Sequence, residues 1–154
     1  MTILLDIDGV LVTTPSWKAA EQLPDGFLKF NDRASRNLAR LIDATNASIV
    51  LTTTHRISFT VDKWKELFRA RGIHVESIKK LNEVTSVNGM SRRSVEIKEW
   101  VDKQDKNEKF VIIDDDLSIN NLPAEIKKKC VLTKSLIGLD EDGVDKALNI
   151  LSEQ

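Results

Sequence analysis

Apolar residues in this chain follow two periods. Short unbroken runs, such as Ile3-Leu4-Leu5 and Phe110-Val111-Ile112-Ile113, alternate with longer stretches where apolar residues recur every three or four positions. The runs read as buried strands and the longer stretches as amphipathic helices. Strands are expected from Ile3, over Ala47–Thr54, at Ile73-His74-Val75, over 110–113 and over Cys130–Thr133. Asn31 or Asp32 can cap a first helix that carries Leu38, Leu41 and Ile42 and runs to about Ala44. Asp62 can cap a second, whose face is Val61, Trp64, Leu67 and Phe68, and Gly72 ends it. A third starts near Ser94 and carries Ile97, Trp100 and Val101. The last carries Val144, Ala147, Leu148 and Leu151. Strands alternating with helices imply a parallel sheet covered on both faces. The fold expected is α/β, a Rossmann-like three-layer sandwich with about five parallel strands.

Two stretches break the pattern. From Leu11 to about Asn31, Pro15, Pro24 and Gly26 predict loop, with Trp17, Phe27 and Phe30 covering the core in preference to folding back over the strand ends. Residues 82–91 are polar and also predict loop. No repeat or interdomain linker is visible, so residues 1–154 read as a single domain.

The polar residues that end the strands carry the candidate chemistry. The first run ends in Asp6-Ile7-Asp8-Gly9, the second in Thr52-Thr53-Thr54 and the fourth in Asp114-Asp115-Asp116. Right-handed crossovers place all these ends on one rim of the sheet, where open α/β sheets keep their ligands. Asp-Gly pairs also serve as plain turns. Two acidic strand ends on one rim are harder to explain that way, because crowded carboxylates resist ionisation unless a cation joins them. Hard oxygen donors in this number suit Mg²⁺. Phosphoryl transfer fits such a rim. One carboxylate can act as nucleophile, a second two residues on can move a proton, and hydroxyls with backbone N–H groups can hold phosphate oxygens.

These segments resemble the signatures of the haloacid dehalogenase (HAD) superfamily of phosphatases and phosphotransferases. Asp6-Ile7-Asp8-Gly9-Val10 resembles the first, Ile49-Val50-Leu51-Thr52-Thr53 the second and Val111-Ile112-Ile113-Asp114-Asp115 the fourth. The resemblance implies Asp6 as nucleophile and Mg²⁺ ligand. It implies Asp8 as general acid/base with its backbone carbonyl on the metal, and Asp114 and Asp115 as further metal ligands, directly or through water. Thr53 would bind phosphate with help from the Thr54 N–H, or Thr52 in its place if the register shifts by one. Asp116 would be a solvated neighbour.

The third signature is a lysine or arginine near the start of the helix before the fourth strand. Here Arg92, Arg93 and Lys98 are candidates. Ser91 to Trp100 resembles a subset of small HAD domains with an arginine just before the helix, which favours Arg93, with Lys98 next. Arg56, close to the phosphate loop, is a candidate substrate contact. The gaps between signatures leave no room for a large cap. A capless site implies a bulky phosphorylated substrate, such as a nucleic-acid end or a phosphoprotein, or a partner protein completing the open site. Similar capless domains occur attached to RNA-repair enzymes. The activity implied is a Mg²⁺-dependent phosphatase working through an aspartyl phosphate. The alternative is a catalytically weak HAD-like module that binds a phosphorylated ligand or serves as a partner subunit.

Composition narrows the partners. Lys and Arg number 23 against 24 Asp and Glu, for a net charge of −1, so there is no global attraction to nucleic acid or an anionic membrane. No apolar segment approaches the ~20 residues that span a bilayer. The start of the chain has no basic leader, and a cytoplasmic location is expected. The single cysteine, Cys130, excludes an internal disulfide and reads as a packing residue. A phosphorelay receiver would need its acceptor Asp after the third strand, and a P-loop ATPase needs GxxxxGK[ST]; neither is present.

Overall fold

A computed structural model describes residues 1–15 and 17–153. Its centre is a five-stranded, all-parallel sheet: β1 (Thr2–Leu5), β2 (Ser48–Leu51), β3 (Ile78–Lys80), β4 (Phe110–Asp114) and β5 (Cys130–Leu132), in the order β3-β2-β1-β4-β5. Among the described residues, α-helices α1 (Asp32–Thr45), α2 (Val61–Ala70), α3 (Arg93–Asp102) and the single turn α4 (Ala124–Lys127) lie between successive strands, and α5 (Glu141–Ser152) follows β5. This is the α/β Rossmann-like architecture that the alternation of apolar runs and amphipathic stretches predicts.

Residue alternation along the strands divides the core in two. Ile3, Leu5, Ile49, Leu51, Val111 and Ile113 pack with α1, α2 and α5 residues on one face. Leu4, Val50, Phe110 and Ile112 face Ile97 of α3 and Ile126 of α4 on the other. All four residues of β1 are buried, as expected of a central strand.

The third strand corrects the expectation. It is Ile78–Lys80, and Ile73-His74-Val75 is connecting chain. Ile73 and Val75 are buried, so their apolar character reflects core contact and not ladder pairing. The Ile73 N–H bonds the Phe68 carbonyl at the end of α2 instead. β3 lies at the sheet edge, where exposed lysines are ordinary and discourage further pairing. The cap of α2 also differs: the Thr60 hydroxyl accepts the Lys63 N–H, two positions before the expected Asp62. Asn31 caps α1 through Ala34, and Gly72 closes α2 at φ 82°.

The long loop after β1 divides its aromatics. Phe27 and Phe30 are buried as expected, but Trp17 is 81% exposed and covers nothing. Ser16 in this loop lies outside the described residues. Among the described residues, no helix is long and apolar enough to cross a membrane. Among the described residues, no large cap lies between the strands that end in the candidate residues.

Candidate active site

β1 carries Asp6 to the rim, where its side chain is almost fully buried. The chain then turns sharply: the Ile7 carbonyl accepts the N–H groups of Val10, Leu11 and Val12. Gly9 makes this possible at φ 77°, and a Cβ there would collide with the Asp115 carboxylate. The same absence of a side chain lets the β4 end come against the β1 end. Thr133, just past β5, donates to the Gly9 carbonyl at 2.8 Å and ties the third neighbour in.

β4 brings Asp114 and Asp115. One oxygen from each of Asp6, Asp114 and Asp115 lies within 4.8 Å of the others. Arg93, from the first position of α3, enters this group. Its Nη1 is 2.6 Å from Asp114 Oδ2 and 3.4 Å from Asp6 Oδ1. Asp114 also accepts the Asp116 N–H at 2.9 Å, and Ser135 donates to Asp115 at 3.1 Å. Asp116 itself turns away to cap the next 3-10 turn by accepting the Ser118 N–H.

The electrostatics follow from burial. Desolvation, then the charge of Asp114, hold the Asp6 carboxyl well above the usual carboxylate range, although Arg93 pulls the other way. Burial also raises Asp114, against the pull of Arg93. Burial lowers Arg93, but the Asp114 and Asp6 charges outweigh it and raise its pKa, so it stays cationic. Fully ionised, the three carboxylates would exceed the single Arg93 guanidinium by two negative charges, and burial already resists that state. The donor set therefore fits a divalent, oxygen-seeking cation.

Asp8 lies apart from this cluster. Its side chain is 58% exposed, and its Oδ2 is 2.8 Å from His55 Nε2. The bond to Asp8 raises the His55 pKa, with burial opposing. From the sequence, His55 reads either as facing substrate or as a loop surface residue, and its bond to Asp8 is not foreseen. The pairing spans 47 positions of chain, and its only local signal is the place of His55 just after the threonines.

The threonines divide by face. The Thr53 hydroxyl accepts the His55 N–H at 3.2 Å and so caps a 3-10 turn over Thr54–Ser58. Its own proton remains free to be donated. Thr54 begins the turn, where the first N–H groups lack intrahelical acceptors. Thr52 Oγ1 is buried and has no hydrogen-bond partner among the described residues. Thr52 follows the Leu5–Leu51 pair in register, and alternation puts it on the sheet face that Asp6 and Arg93 share. That orphaned hydroxyl makes Thr52 a candidate beside Thr53.

Three other cations stand outside the group. Arg56 is fully buried and turned inward. It donates to the Thr52 and Thr53 carbonyls at 3.0 and 3.1 Å and pairs with buried Glu96 at 2.7 Å. Asn82 joins both partners. The structure thus gives Arg56 a clamp beneath the threonine loop in place of an exposed surface. Lys98 is half exposed and pairs with Asp102 one helical turn on. Arg92 is exposed at the α3 N-cap. Cys130 is buried, and burial pushes its thiol up to about 11, consistent with packing and not nucleophilic chemistry.

A search of curated proteins found no match. A protein family does match, over residues 2–144, and that span includes every residue of the rim described above. The chain belongs to that family, the HAD domain in Swiss Army Knife RNA repair proteins.

Proposed function

We propose that this chain is a Mg²⁺-dependent phosphomonoesterase that forms an aspartyl phosphate on Asp6. The observation that carries the reading is the convergence of Asp6, Asp114 and Asp115 within 4.8 Å, with Arg93 against two of them. The Asp6, Asp114 and Asp115 carboxylates and the Asp8 carbonyl would hold the ion, which would offset phosphate charge and favour the ionised form of Asp6.

The protein's own groups then divide the work. The ionised Asp6 carboxylate attacks phosphorus and the ester P–O bond breaks. Asp8 gives its proton to the leaving oxygen, then takes one from the water that hydrolyses the aspartyl phosphate. Arg93 orients Asp6 and offsets charge on the transferring group. The free hydroxyl of Thr52 or Thr53 and the Thr54 N–H bind phosphate oxygens. Absence of a large cap suits a bulky substrate, and membership in a family of RNA-repair domains makes a phosphorylated nucleic-acid end the leading candidate. A partner protein that covers the rim is compatible with the same geometry.

The test is release of phosphate from an aryl phosphate and from 3′- and 5′-phosphorylated oligonucleotides, with Mg²⁺ and with chelator. The reading expects turnover that chelation abolishes and Mg²⁺ restores. A chain that binds these compounds but never releases phosphate would be a ligand-binding module instead.

A further inference from the structure

We propose that His55 is a positioning residue for the proton-transfer step: its Nε2–H holds Asp8 Oδ2 and leaves Oδ1 as the oxygen that serves the leaving group. The inference rests on the phosphatase reading of the site and adds a residue that reading does not require.

Asp8 needs such a partner. Its side chain is more than half exposed, while Asp6 and Asp114 are fixed by burial and by Arg93. An exposed carboxylate samples several rotamers, yet proton transfer demands a heavy-atom approach of about 2.6–3.2 Å. Among the described residues, His55 is the side chain that bonds the Asp8 carboxylate, at 2.8 Å.

His55 is itself held at both ends. Its backbone N–H is bonded to Thr53 Oγ1, so the phosphate-loop threonine sets where the histidine starts. Its ring stands edge-on to Phe27, with centroids 5.3 Å apart. Phe27 is buried and wedged against Phe59 and Trp64. The Trp64 indole in turn donates to the carbonyl of Arg56, the next residue after His55. The ring is therefore braced by the core, and the brace passes through one hydrogen bond to Asp8.

A donor on Oδ2 has a specific chemical consequence. The carboxyl proton must sit on Oδ1, so the acid form has one reactive oxygen instead of two. When the P–O bond breaks, the Oδ1 proton moves to the leaving oxygen and the alcohol departs neutral. Asp8 is left as a carboxylate that still accepts from His55. An aryl leaving group such as p-nitrophenolate departs without that proton. An alkyl leaving group does not.

The experiment compares kcat/KM for p-nitrophenyl phosphate and for an unactivated alkyl phosphate, using the full chain with Mg²⁺. His55→Ala should lower the alkyl value at least tenfold and the aryl value by less than about threefold. His55→Phe keeps a ring against Phe27 but has no donor, and should match His55→Ala. His55→Gln keeps a donor and should recover much of the alkyl activity. Equal losses on both esters, or full alkyl activity in His55→Phe, would overturn the role. A wild-type chain inactive on both esters would count against the phosphatase reading and remove this role with it. An active chain whose His55 variants keep the wild-type ester preference would overturn the His55 role alone.

Discussion

At the scale of single residues, Gly9 and Arg56 decide whether the rim can form. Gly9 needs a left-handed φ and has the Asp115 carboxylate where a side chain would go. Gly9→Ala should cost about 1–2 kcal/mol from backbone strain alone, and more from displacing Asp115. Isothermal titration with Mg²⁺ should show weakened binding, with a lowered Tm; wild-type affinity would mean that Asp115 is not a ligand. Arg56 makes a different point. It forms a buried pair with Glu96, and removing one partner of such a pair costs roughly 3–5 kcal/mol. Urea unfolding of Arg56→Met should read a loss of that size, because buried Glu96 would lose its cationic partner and keep only the Asn82 amide. From the sequence, an arginine beside the phosphate loop reads as a substrate contact. Its side-chain partners, Asn82 and Glu96, lie 26 and 40 positions away, so the chain offers no local sign of them.

At the scale of elements, the acidic strand ends were legible because β1 and β4 are central. Their apolar runs are unbroken up to the carboxylates. The edge strand was not legible, since β3 contains one buried residue followed by two lysines, while the connector before it contains two buried apolar residues. Burial and ladder pairing coincide in central strands and separate at an edge. The loop between β1 and α1 is held by an equally non-local contact. Arg71, at the end of α2, pairs with Asp25 at 2.7 Å and lies over the rings of Phe27 and Phe30. The hydrogen bond from Arg71 holds the Asp25 carboxyl below its usual range. A carboxylate with a depressed folded pKa contributes stability above its unfolded value, near 4, and that contribution is lost as pH falls through the folded value. Asp25→Asn should therefore flatten the stability-against-pH curve below about pH 4 and leave its shape at neutral pH unchanged. A curve identical to wild type across that acid range would show that the pair does not anchor the loop.

At the scale of the whole molecule, all strands run parallel, but in the order β3-β2-β1-β4-β5 the chain steps outward one way from β1 and the other way from β4, so the switch point lies between them. That switch point is where an open α/β sheet leaves a crevice. Asp6 comes from one side of it and Asp114 and Asp115 from the other, so the acidic cluster arises from chain topology. The alternation of strands and helices made this much readable in advance. What it did not reveal, the inward turn of Arg56 and the His55–Asp8 bond, depends on side-chain directions that no spacing rule encodes.

The central claim is that Asp6 attacks phosphorus in a site completed by a divalent cation. Rapid-quench labelling with a radiolabelled phosphate ester tests it most directly. A Mg²⁺-dependent, hydroxylamine-sensitive phosphoryl label is expected on the wild-type chain and none on Asp6→Asn, with turnover lost in parallel. Phosphate release by Asp6→Asn at the wild-type rate, or labelling of wild type at full extent in chelator, would contradict it.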